Sequence, residues 1–121
     1  MKTQMEMNWS KYLRVFSEHN RNRPTRLGVH QGPPGSMSDL WLEDGLPLLG
    51  VDVAAGPERL DVEIMLGTGA TPNAAHMSHR VLDARSLRIV LGASGQSDAL
   101  EIENANGETT VMQFEEVDRG L

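Results

Sequence analysis

The chain has 121 residues, 39% of them hydrophobic and 23% charged, with a formal charge of −6 from 17 acids and 11 bases, and no cysteine. That is one domain's worth of chain, too apolar for a disordered tail and without an apolar run approaching the roughly 20 residues of a bilayer span. The lack of cysteine excludes a disulfide scaffold, a thiol nucleophile and cysteine-built zinc or iron–sulfur sites, and the acidic balance argues against a global attraction to nucleic acid or anionic membrane.

The charge is unevenly spread. From Trp9 to His30 there are five bases and one acid, whereas Asp98 to Asp118 holds seven acids and no base. If the two segments lie together in the fold they neutralise one another through ion pairs, each individually weak. Head-to-tail contact between subunits is the alternative. The opening MKTQMEMNWS has no apolar core of signal-peptide length and no small-residue cleavage site. Residue 2 is Lys and no lipidation motif is present. A cytoplasmic location is the expectation.

The first predicted element is a helix. Trp9, Tyr12, Leu13 and Phe16 fall at i, i+3, i+4 and i+7 on one helical face, and Asn8 is placed to cap its start. Asn20 to Pro24 ends it, since Pro24 pushes Arg23 out of helical geometry. The period then changes to two. Thr25–Gln31 reads as a strand with Leu27 and Val29 on one face and Arg26 and His30 on the other. Gly32–Ser36 breaks regular structure, Ser38–Glu43 suits a short helical turn, and Asp44–Gly45 marks a turn. Leu46–Val53 and Arg59–Leu66 read as strands. In the second, Leu60, Val62, Ile64 and Leu66 alternate with Arg59, Asp61 and Glu63, the pattern of one buried and one wet face.

Gly67–Asn73 reads as a loop. Ala75–Val81 and Ser86–Leu91 read as two strands, or as one long strand bent at Asp83–Ala84. Gly92–Ser97 turns, Leu100 and Ile102 point inward from a strand, and Asn106–Gly107 favours a tight hairpin into Thr109–Glu115. One helix and six or seven strands joined by short loops imply antiparallel neighbours. The expected fold class is α+β: an N-terminal amphipathic helix packed on a curved, mostly antiparallel six- to seven-stranded sheet, a half-open barrel. Residues 1–121 form a single domain, with 1–7 and 118–121 frayed.

Four stretches resemble a family of small bacterial proteins classed as a domain of unknown function. They are the aromatic helix with Trp9 and Phe16, WLEDGLPLLGVDV from Trp41 to Val53, VEIML (Val62–Leu66) followed by HMSHRV (His76–Val81), and ALEIENANGETTVMQF from Ala99 to Phe114. The resemblance spans most of the chain, with the Gly32–Ser36 loop departing from it. It implies a single domain and brings no activity, cofactor or catalytic residue.

Candidate chemistry is sparse. His76 and His79 form H-x-x-H, but on a strand i and i+3 point to opposite faces, and no cysteine or third neighbouring histidine completes a zinc site. Ser36, Ser78 and Ser94 lie outside any G-x-S-x-G turn. Gly67–Thr68–Gly69 lacks the third glycine of a dinucleotide loop and the lysine of a P-loop. Asp39, Glu43 and Asp44 around Trp41 do not match a calcium loop. Trp41 is either core or an interface anchor. Met65 falls on the outward phase of its strand, and with Met77 it suits a subunit contact. Arg14, Arg21, Arg23 and Arg26 form a candidate anion patch beside the helix, although strand aromatics for base stacking are missing.

The residues therefore point away from catalysis and toward contact. The expected protein is non-enzymatic and acts through protein–protein contacts as a homodimer or with another protein partner. It uses no cofactor, nucleic acid or membrane. The alternative is a small-ligand-binding domain or enzyme with a pocket on the concave sheet face near His30, His76 and His79.

Overall fold

A computed structural model of the chain describes residues 4–31, 42–56, 59–67, 76–92 and 97–115. Helix α1 runs Gln4–Asn20. It starts ahead of the expected cap, so residues 4–7 are helical and Asn8 lies inside the helix. Gln4, Met5, Glu6 and Met7 are all good helix formers with no breaker among them. Leu13 and Phe16 are buried and Trp9 packs on the core, whereas Tyr12 turns half outward. The helix ends by a local device. Asn22 takes a left-handed φ of 72°, a conformation asparagine tolerates at helix ends, and the Asn20 side-chain amide donates to the Phe16 carbonyl at 2.8 Å.

Seven strands follow: β1 Pro24–Gln31, β2 Glu43–Gly56, β3 Arg59–Gly67, β4 His76–Val81, β5 Ala84–Leu91, β6 Ser97–Asn104 and β7 Glu108–Phe114. They form one antiparallel sheet in the order β4-β3-β2-β1-β7-β6-β5. The sheet curls into a half-barrel with α1 packed on it, an α+β fold as the sequence predicts.

β2 is the strand that bends. Its first part pairs with β1 and its second with β3, with the register broken between Leu48 and Gly50. The Asp44–Gly45 signal is a bulge inside β2 and not a turn. Arg26 pairs with Asp44 and Thr25 with Leu46, so Gly45 is the extra residue, at φ 111°. Beyond the break, the side of β2 away from β3 has no strand beside it among the described residues. Ser17 of α1 takes that place: its hydroxyl donates to the Val51 carbonyl at 3.1 Å and accepts from the Val51 N–H at 2.9 Å. An edge that would otherwise leave buried backbone groups unpaired is thereby satisfied by a helix side chain.

The join between β4 and β5 is a sharp corner at Leu82–Asp83, with Asp83 at φ 54°. The two strands do not pair with each other; they form the two edges of the sheet. Asp61 of β3 holds the corner. It is 1% exposed, accepts from the Asp83 N–H at 2.9 Å, and lies 3.1 Å from Arg59 Nε and 3.3 Å from Arg80 Nε. Period-two reading puts Asp61 on the wet face. The structure buries it because the corner and two arginine stems cover that end of β3. The β6–β7 loop reaches the same corner, the Ala105 N–H donating to the Asp83 carbonyl at 3.0 Å. That loop has three residues, with Gly107 at φ 80°, and makes the tight hairpin expected at Asn106–Gly107.

The core is filled by Leu13 and Phe16 from the helix and by Leu27, Leu48, Val62, Ile64, Leu66, Leu100, Ile102, Met112 and Phe114 from the strands. Phe16 and Phe114 stack with ring centroids 5.8 Å apart. Among the described residues no helix is long and apolar enough to cross a membrane.

Candidate functional site

α1 carries more apolar surface than its core stripe can bury. Trp9, Leu13 and Phe16 face inward, and Tyr12 and Val15 lie on the flank, each 49% exposed. Across from them Leu87 of β5 is half-buried. Together with Asn8 and Lys11 these residues line an open groove of about 650 Å3 between the helix and the edge strand β5. Lys11 is the one charged residue among the described residues that line it. The i, i+3, i+4, i+7 spacing puts Tyr12 on the buried face and does not mark Val15 or Leu87. The usable signal was the width of the apolar arc: adding Val15 to Trp9, Tyr12, Leu13 and Phe16 exceeds what one core-facing stripe needs.

The candidate histidines do not come together. His79 pairs across the ladder with Ile64 of the core, which places it on the core face of β4, whereas His76 is exposed at the start of the strand. Burial pushes the His79 imidazole below its usual range, partly opposed by the negative charge of Glu108. His30 alternates out of phase with core residue Leu27, on the other face of β1, and its Nδ1 is enclosed without a hydrogen-bond partner among the described residues. The concave face, where the alternative reading puts a pocket, holds Leu13, Phe16 and the strand core. Among the described residues no three His, Asp or Glu side chains gather into a metal-holding group.

The basic segment divides into two pairs. Arg23 lies over the Phe114 ring at 4.2 Å and donates to Asn20 Oδ1 at 2.8 Å, a cation–π contact that fixes it in place. Arg26 bridges Asp44 and Glu115, with Nε 3.1 Å from each. The contact with Glu115 is one ion pair between the basic and the acidic segment, made possible because β1 and β7 are neighbours. The hydrogen bond between the Asp44 and Glu115 carboxyls raises Glu115 and lowers Asp44, with Arg26 lowering both. Arg14 and Arg21 stay on the open side of α1.

Met77 packs against the core, and the half-buried Met65 lines the cleft that Arg14 and Arg21 flank. Ser78 is exposed on β4. Trp41, Asp39, Ser36, Ser94, Thr68 and Gly69 lie outside the described residues, as do residues 118–121. Comparison of the chain with protein-family models, curated proteins and solved structures finds no match.

Proposed function

We propose that this protein acts through protein contact, as a cytoplasmic homodimer that associates through the groove between α1 and β5, and that it belongs to the small bacterial family its four stretches resemble. The observation that carries the proposal is the half-exposed pair Tyr12 and Val15 beside Trp9 and Leu87. Aromatic residues around an apolar groove are the usual anchors of an interface. A second copy is the favoured occupant on charge grounds. The chain carries −6, so two copies repel unless they meet on a face free of acids. Among the described residues that line the groove there is no acid and one lysine.

Native mass spectrometry and sedimentation velocity on the full chain test this directly. The expected result is a dimer that Tyr12→Glu and Val15→Glu each convert to a monomer without loss of fold. A wild-type monomer at high concentration overturns it. Extra mass retained on a monomer would favour the small-ligand reading instead.

A further inference from the structure

We propose that the cleft between α1 and the middle of β2, on the flank of the helix away from the dimer groove, binds a small oxyanion, a carboxylate or phosphate head group held between Arg14 and Arg21. The cleft has a volume of about 260 Å3 and is lined from the helix by Ser10, Arg14, Ser17 and Arg21 and from the sheet by Gly50 and Met65. The four helix positions fall at i, i+4, i+7 and i+11, a single stripe of an α-helix. The two arginine Cα atoms are therefore about 10 Å apart along the axis, at 1.5 Å per residue, so long side chains from both ends can close on one ligand.

Three observations support an anion there. Neither Arg14 nor Arg21 takes part in any ion pair among the described residues. This holds although Glu18 lies at helical spacing from both, four residues after Arg14 and three before Arg21, where opposite charges commonly pair. The other two arginines of the basic segment are engaged by Phe114, Asp44 and Glu115, so the two left open are the two that share this cleft. The floor beneath them is fixed, because the Ser17 hydroxyl is bonded to both backbone groups of Val51, and Gly50 places no side chain in it.

The rest of the lining narrows the ligand. Glu18 and Asp52 also border the cleft, which brings its formal charge close to zero. A polyanion such as nucleic acid gains nothing from such a surface, since its neighbouring phosphates meet carboxylates. A compact anion that fits a guanidinium fork is recognised by geometry and short charge-assisted hydrogen bonds. The volume lies just below the roughly 300–1,000 Å3 of common ligand pockets, which suits one head group and not an extended molecule.

The test is a 1H–15N NMR titration of the full chain with inorganic phosphate and, separately, with acetate, at an ionic strength held constant with sodium chloride. The expected result is saturable shifts confined to residues 10–21 and 49–52 with at least one of the two anions. Saturation by phosphate or by acetate then identifies the head group. The Arg14→Gln/Arg21→Gln variant, folded by its own spectrum, is expected to bind at least tenfold more weakly. Shifts that rise linearly with both anions, that chloride reproduces, or that persist in the double variant overturn the proposal.

Discussion

Asp61 is buried as deeply as the core, at 1% exposed, yet carries a polar carboxyl side chain. Its carboxylate accepts the Asp83 N–H and sits between Arg59 and Arg80. Removing one partner from a buried polar contact costs more than the contact's net worth. Asp61→Ala is therefore expected to destabilise the fold by about 1–3 kcal/mol, and urea unfolding measures it. The two arginines are nearly half exposed and regain water when the carboxylate is gone, which keeps the loss at that level. His79 makes a second prediction. In the folded chain burial holds it neutral below the usual histidine range, so between the ordinary value of about 6.5 and its own lowered one the unfolded chain binds the extra proton. Its effect on stability is absent above that window and becomes a growing penalty as pH falls through it. Thermal melts should therefore show a fall in Tm from pH 7 to pH 5 that His79→Gln reduces. Neither residue's environment was readable from alternation alone. Alternation gives β3 and β4 two faces each, but the face of Asp61 reads as wet unless a corner folds over it, and which face of β4 meets the core, His79 with it, is set by pairing with β3; both are tertiary facts.

At the scale of elements, the joint between α1 and β2 combines core packing with one hydroxyl that bonds both backbone groups of Val51. Val51 is 3% exposed, and without Ser17 both of its backbone groups lose their partner. Ser17→Ala is expected to cost about 2 kcal/mol, from the 1–3 kcal/mol attached to leaving a buried group unpaired, whereas Ser10→Ala, at the open end of the same stripe, should change stability by less than about 0.5 kcal/mol. Chemical denaturation of the two variants side by side separates a structural hydroxyl from a surface one. The strands themselves were legible because β1, β3, β6 and β7 alternate and end on strong punctuation. The bent β4–β5 segment was legible as well, with its irregularity near Asp83–Ala84. What local pattern misread was punctuation used inside an element. Gly45 carries the positive φ of a turn, yet serves a bulge that lets β2 twist while still paired with β1. The helix start was misplaced for the opposite reason: Asn8 looks like a cap, but nothing before it stops a helix.

For the whole molecule, the order of strands sets where the sheet opens first. β1 and β7 lie inside the sheet with partners on both sides, and β4 and β5 are its edges. Native-state hydrogen exchange is expected to be slowest in β1 and β7 and fastest in β4 and β5, and formation of the proposed dimer should slow exchange in β5 and the flank of α1 while leaving β4 unchanged. Protection that instead rises in β4 would relocate the contact. The candidate surfaces were less legible than the fold. The sequence supplies the arginines and the apolar residues of α1, but which arginines are engaged and which apolar side chains face out is decided by β7, β2 and β5, all distant in the chain.

The pairing of β1 with β7 also has a consequence for how the chain is made. Arg26 and Glu115, which the sheet holds 3.1 Å apart, are separated by 89 positions. During synthesis β1 emerges early and one of its two flanks has no mate until nearly all of the described chain has followed. At the roughly 5–20 residues per second of a ribosome, that flank stays open for about 5–20 s. The hairpin of β2 and β3 and that of β6 and β7 can form as they appear, because their partners are local. Closure of the sheet is a late event, and in the interval an exposed β1 edge is the segment most in need of a chaperone.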